Sequence, residues 1–276
     1  MSETFVLVPE FREIDGLRIR YAESGRGASR TFLLTNPWPE SLYAFHPIWN
    51  QLAQDAHVVA IDLPGFGQSE RRAELYSPQA MGRFLISVVD SFGLVKPHLV
   101  GPDVGTSASL FAELARPGTF ATITIGSGGA SVPLNVTGIL KDIIEAPDLD
   151  GLRAQDSRAI LSPALDAIEP RLPAEIREDY LLSYEGDGFV ESSAFVRRYA
   201  AELPILASKL SEISTPVQII SGRKDPVVPP ENGEFLAARL PNAVARLVDS
   251  GHFVWEEASQ EYGKLVTSWA DEHPAE

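Results

Sequence analysis

Seven short runs of apolar, mostly β-branched residues, at 17–22, 31–35, 57–62, 97–101, 121–126, 217–221 and 245–248, constrain this chain more than any other feature of its sequence. In most of them the apolar residues stand side by side. Strict alternation with polar residues would mark strands wetted on one face, whereas continuous runs mark strands covered on both. Segments with helical spacing lie between the runs, at 45–52, 78–92, 107–114, 231–240 and 260–269. Strands alternating with helices of this length imply right-handed crossovers, hence an α/β fold with a doubly wound parallel sheet. Ligand chemistry in such sheets gathers at the C-terminal ends of the strands, which makes the strand-to-helix turns the places to search. One interval breaks the rhythm. Nothing from 132 to 213 reads as a strand, while 139–145, 174–184 and 193–203 read as short amphipathic helices. Turn residues bound it, Gly126-Ser127-Gly128-Gly129 before and Ser214-Thr215-Pro216 after. The expected organisation is a core of residues 1–131 and 214–276 with a helical cap, or lid, at 132–213. Insertions between strands often cover a ligand site, because connections tolerate lengthening and lie where strand ends open.

Composition removes several functions. The 276 residues are 44% hydrophobic, enough to bury a sizeable core. With no cysteine the chain has no disulfide, thiolate nucleophile, iron–sulfur cluster or Cys-based zinc site. A formal charge of -15 would repel nucleic acid and anionic membranes. Residues 1–11 carry neither a basic stretch nor a long apolar one, and no run approaches the ~18 apolar residues of a membrane span. The expectation is a soluble, cytoplasmic monomer or homodimer acting on a small molecule, without a nucleic-acid or membrane partner. The acidic surplus, Glu256 and Glu257 included, reads as solvated surface.

Three turns carry candidate chemistry. Gly101-Pro102-Asp103-Val104-Gly105 follows the run at 97–101 and precedes a helix, the context of a G-x-S-x-G nucleophile elbow with Asp in the serine position. Taken alone, the Gly-rich turn favours an ordinary strand-to-helix connection with Asp103 as helix N-cap. Ser221-Gly222-Arg223-Lys224-Asp225-Pro226 and Asp249-Ser250-Gly251-His252-Phe253 follow the last two runs. Alone, Asp225 is a turn-former and His252 a structural histidine. Together the three follow the chain order of nucleophile, acid and histidine, each at a strand's C-terminal end.

These residues, with Asp62-Leu63-Pro64-Gly65-Phe66-Gly67-Gln68-Ser69 and Asn36-Pro37-Trp38-Pro39-Glu40-Ser41-Leu42-Tyr43-Ala44-Phe45, resemble the α/β-hydrolase superfamily. Specifically they resemble its aspartate-nucleophile branch of epoxide hydrolases and haloalkane dehalogenases. The resemblance implies a mostly parallel eight-stranded sheet, Asp103 as nucleophile, and His252 as the base that activates water, with Asp225 as its partner. It also implies an oxyanion hole from the backbone N–H groups of Trp38 and Val104, with no metal or organic cofactor. From Trp38 onward the Asn36–Phe45 segment matches the oxyanion loop of epoxide hydrolases, where Pro39 takes the place of a proline that is usually cis. Asn36-Pro37 replaces the usual His-Gly, and Pro37 has no N–H to donate.

An aspartate narrows the reaction. A carboxylate that attacks an ester or amide carbonyl yields an anhydride, no more stable than what was broken. Attack on an sp³ carbon displaces an alkoxide or halide and leaves an alkyl ester that water can cleave. An alkoxide needs a proton as it leaves, from lid tyrosines in epoxide hydrolases, and a halide needs N–H donors, often indole. The interval 132–213 contains Tyr180, Tyr184 and Tyr199 and no Trp. Val104 stands where dehalogenases carry Trp, and Thr106-Ser107-Ala108-Ser109 lacks the Arg pair of fluoroacetate-type enzymes. Trp38 could supply an indole donor or pack the wall, and Trp255 could border the pocket or pack the last helix. The resemblance favours hydrolysis of an epoxide on a hydrophobic small molecule. Haloalkane dehalogenation with the same three residues is the alternative, and a non-hydrolytic or ligand-binding protein of the same fold is another.

Overall fold

The computed structural model describes residues 4–275. Eight strands form one sheet: β1 (Pro9–Ile14), β2 (Leu17–Ser24), β3 (Arg30–Thr35), β4 (Ala56–Ile61), β5 (His98–Pro102), β6 (Thr122–Gly126), β7 (Val217–Gly222) and β8 (Ala243–Val248). Their order across the sheet is β1-β2-β4-β3-β5-β6-β7-β8. The β1–β2 and β2–β4 pairs are antiparallel, and every later pair is parallel. The side-by-side apolar runs have a direct explanation. Along each central strand successive side chains enter different cores, so Leu33, Val59, Leu99, Ile123 and Ile219 pack on one face of the sheet. Their neighbours Phe32, Leu34, Val58, Ala60, Val100 and Ile220 pack on the other. β1 has no apolar run in the sequence because it is an edge strand with most of its residues outside the core.

Helices cover both faces. Those flanking the sheet are α1 (His46–Ala53), α2 (Pro78–Phe92) and α3 (Val104–Ala115), followed later by α10 (Glu231–Ala237), α11 (Val254–Glu257) and α12 (Ser259–Glu272). α2 starts where the Ser77 hydroxyl accepts the Ala80 N–H ahead of Pro78, and it stops at Gly93 in the left-handed region. Between β6 and β7 the chain forms α4 (Gly138–Glu145), α5 (Asp150–Arg153), α6 (Ser157–Asp166), α7 (Ala174–Ser183), α8 (Gly188–Arg197) and α9 (Tyr199–Ala207). No helix among the described residues is long and apolar enough to cross a membrane.

Helix α7 is tied to the core by buried polar bonds. Asp179 receives both guanidinium nitrogens of Arg20 from β2, at 2.7 and 3.1 Å. It also accepts from Ser41 Oγ at 2.6 Å and from Gln68 Nε2 at 2.9 Å. Buried Asp62, 3.5 Å from the same Arg20, accepts the Leu42 and Gln68 N–H groups.

Candidate active site

Asp103 occupies a tight turn between β5 and α3 with φ 52° and ψ −118°, a region that non-glycine residues rarely visit. Its N–H bonds Gly126 O at 2.9 Å and its C=O accepts from Thr106 N at 2.9 Å. Space forces the flanking glycines. A Cβ on Gly101 would lie 2.3 Å from Ser109 Oγ, and one on Gly105 would lie 2.5 Å from Thr35 Oγ1. The Asp103 side chain makes no N-capping bond to α3. Its Oδ2 instead accepts the Trp38 N–H at 2.6 Å. The Trp38–Pro39 peptide is cis.

His252 and Asp225 come from the loops after β8 and β7. Asp225 Oδ1 accepts the N–H groups of Val227 and Val228, which fixes the carboxylate so that Oδ2 meets His252 Nδ1 at 2.8 Å. The two loops touch backbone to backbone. A Cβ on Gly222 would sit 1.8 Å from Gly251 O, so only glycine allows that approach. The carboxylate of Glu257 accepts the Gly251 and Phe253 N–H groups and holds the His252 loop from behind. His252 Nε2 stands 4.0 Å from Asp103 Oδ1, beyond hydrogen-bond distance.

Asp103 is 6% exposed and His252 7%. Burial pushes the Asp103 carboxyl up to about 6, against the opposing pull of His252 and of the Trp38 and Val104 N–H groups. Burial disfavours the His252 imidazolium, but the bond to Asp225 and the negative charges of Asp225 and Asp103 outweigh it and raise the ring above its ordinary value.

The three tyrosines are all fully buried but differ in what their hydroxyls do. Tyr180 donates to Glu256 Oε1 at 2.7 Å, and Tyr184 donates to Glu40 O at 2.6 Å while accepting the Gly67 N–H. All three hydroxyls are raised above the ordinary range chiefly by burial, and for Tyr199 the next cause is the charge of Asp103. Ser107 Oγ, one helical turn after Asp103, is buried without a hydrogen-bond partner. The Trp38 indole donates its N–H to Ser192 Oγ of α8 at 2.9 Å and stacks on Phe189. It is a tie to the helical insertion.

A pair of carboxyls lies behind the histidine. Trp255 packs edge-on to His252, with ring centres 6.1 Å apart, and gives its indole N–H to Glu40 Oε2 at 2.6 Å. Glu40 Oε1 is buried without a partner. Burial, then the nearby charge of Glu256, lifts the Glu40 carboxyl well above the carboxylate range, and burial lifts Glu256 as well. The expectation that Glu256 and Glu257 belong to a solvated surface is therefore corrected: Glu256 is buried against Tyr180, and half-buried Glu257 caps the histidine loop. Proximity to His252 was the one sequence signal that could have singled them out. Among the described residues no group of His, Asp and Glu could hold a metal ion.

The elbow, the histidine loop and the sheet order together define a family. The sequence profile of the alpha/beta hydrolase family matches residues 27–264, and the chain belongs to that family. A 2-hydroxy-6-oxononadienedioate/2-hydroxy-6-oxononatrienedioate hydrolase of Pseudomonas putida is 29% identical, over 92% of this chain and 91% of that protein. Among solved structures, the epoxide hydrolase CorEH superposes with a TM-score of 0.81 at 20% identity, covering 96% of this chain and 99% of its own. An epoxide hydrolase from Vigna radiata gives 0.77 at 17% identity, covering 96% and 98%. At these identities the two structures establish the shared fold alone. The family and its relatives' names support a hydrolase-type enzyme.

Proposed function

We propose that the protein hydrolyses an epoxide on a hydrophobic small molecule through an alkyl ester on Asp103. The observation that carries this reading is the elbow itself. A buried aspartate stands at the turn after β5 with its carboxylate held by the Trp38 N–H, and the histidine is near but not bonded to it, which supports its reading as a nucleophile. A serine nucleophile would need its base within about 2.6–3.2 Å to take its proton. A carboxylate needs none, and a gap of 4.0 Å leaves His252 Nε2 free to serve water.

The steps balance. Asp103 Oδ1 bonds to an epoxide carbon as the C–O bond breaks, and the departing oxygen takes the Tyr199 proton, which solvent restores. Ester formation removes the Asp103 charge, one of the effects that keeps the His252 ring protonated. The ring then releases its proton to solvent, balancing the one that solvent returns to Tyr199, and can accept one from water, whose oxygen adds to the Asp103 carbonyl carbon. The Trp38 and Val104 N–H groups stabilise the resulting oxyanion. Collapse breaks the ester C–O bond, the leaving oxygen takes the proton His252 received from water to complete the diol, and the Asp103 acid returns its proton to His252, which regenerates carboxylate and imidazolium.

The relatives named as 2-hydroxy-6-oxononadienedioate hydrolases favour a second reading, cleavage of a carbon–carbon bond beside a ketone. Attack of Asp103 on a ketone carbonyl would end in an anhydride, which weighs against it. Substitution His252→Gln tests the choice. With an epoxide substrate, intact-mass spectrometry should show the protein heavier by one substrate, with the mass on the peptide containing Asp103. Turnover of epoxides by the unsubstituted protein without such an adduct in the variant would refute the nucleophile assignment. Turnover of a 2-hydroxy-6-oxo-dienoate, with epoxides untouched, would favour the second reading.

A further inference from the structure

Asp103 and His252 are nearly closed off, so the proposed reaction requires a route for its substrate. The α7 side offers none. There the Arg20–Asp179 pair, Tyr180 on Glu256 and Tyr184 on Glu40 join the insertion to the core, and the Trp38 indole on Ser192 extends the seam to α8. The opposite edge differs. A cavity of about 520 Å³ opens between the 131–136 segment, α4 and α9. That volume is typical of small-molecule sites. Its apolar walls include Val132, Leu134, Ile144 and Leu203. Tyr199 belongs to both places, since it lines this cavity and packs on the 128–129 segment, where a Cβ on Gly128 would lie 2.2 Å from Asp103 O. Its ring lies so close to Gly129 that a Cβ there would come within 2.9 Å of it.

Charge around the cavity is cancelled. Lys141 on its wall stands 3.9 Å from Glu145 of the same wall. Arg197 is spent on the carbonyls of Ile143 and Ala146, Arg198 on Glu202, and Arg20 on Asp179. Among the described residues that line the cavity, Lys141 is the one cation and Glu145 matches its charge, which suits a neutral substrate better than the doubly acidic one that the dioate in the relatives' names describes.

We propose that this cavity is the subsite for the remainder of the substrate, that it takes a neutral, extended apolar chain, and that Tyr199 forms the floor separating the chain from the reacting carbon. The substrate class so defined, a long-chain neutral epoxide, rests on the reading of Asp103 as the nucleophile. The subsite itself can be tested apart from the reaction. N-phenyl-1-naphthylamine, a neutral apolar fluorophore, should bind the protein and be displaced by 1-decanol at a concentration at least about fivefold lower than by decanoate. Ala200→Trp, on the exposed rim of α9, should weaken both ligands at least about tenfold, and Leu134→Trp from the facing wall should do the same. Circular dichroism would establish that each variant is folded. Probe binding unchanged in two folded variants, no probe binding by the unsubstituted protein, or tighter binding of decanoate would overturn the assignment. The turnover arm separates the two readings. The kcat/KM of the unsubstituted protein should rise from 1,2-epoxybutane to 1,2-epoxydecane, and Ala200→Trp should abolish the rise. If no epoxide is turned over while the probe results hold, the reaction is wrong and the subsite stands; turnover with no chain-length gradient sinks the subsite and leaves the reaction.

Discussion

Protonation of Asp103 and of His252 is linked, because each charge stabilises the other across 4.0 Å. Burial raises the Asp103 carboxyl to about 6, so it is half protonated well above the range of an exposed aspartate. The proposed ester-forming step needs the carboxylate. The kcat/KM for an epoxide should therefore fall about tenfold per pH unit below about pH 6, as read from initial rates in a series of buffers, and a profile flat down to pH 5 would contradict the role of Asp103. The tyrosines divide in the same way. Tyr199→Phe should lower kcat about 10²-fold or more while the protein stays folded. Tyr184→Phe strands Glu40 O and the Gly67 N–H without their partner, which should appear in denaturant unfolding as a loss of ~1–3 kcal/mol.

At the scale of elements, the site exists because loops from distant parts of the chain meet. Gly222 lets the loop after β7 lie on the loop after β8, and its conversion to alanine drives a Cβ into a backbone oxygen. Gly222→Ala should separate Asp225 from His252 and lower kcat more than stability, measured by comparing rates with unfolding midpoints. A fall in both to the same degree would show that the close approach serves folding alone. The tie between β2 and α7 is a stability element of a different kind. Asp179→Ala leaves Arg20 buried with Asp62 as its only nearby anion, and loss of one member of a buried pair costs ~3–5 kcal/mol. Chemical denaturation should read that loss.

Over the whole molecule, five buried carboxyls, Glu40, Asp62, Asp103, Glu113 and Glu256, all hold their protons more tightly than an unfolded chain would, with Asp62 raised to about 7 chiefly by burial. The folded state binds the extra protons. The stability they contribute is therefore complete below the unfolded carboxylate range near pH 4 and is lost as pH rises through their folded values. His252, also raised, acts in the same direction. The carboxyls lowered by ion pairs, such as Glu178 and Asp249, are exposed and offset little. The Tm should be lower at about pH 8 than at about pH 6, and Glu256→Gln should shrink the difference. An equal or higher Tm at the alkaline end would contradict this account.

Much of the fold was legible because burial on two faces writes itself as continuous apolar runs, and the elbow and the histidine turn are local patterns. β1 was not legible, since an edge strand has no apolar face to declare. Tyr180, Tyr184 and Tyr199 look alike as letters, and only packing decides that two donate hydrogen bonds to Glu256 and Glu40 while the third lies against Gly129 and lines the cavity. Glu256 lay among 38 acidic residues with nothing but its nearness to His252 to mark it. The sequence alone determined the sheet, the insertion and which residues stand at its strand ends, because those depend on neighbours in the chain. The tertiary structure alone decided which charges are buried, which hydroxyls are committed and where a cavity opens, because desolvation and hydrogen bonding are set by residues that meet only when the chain has folded.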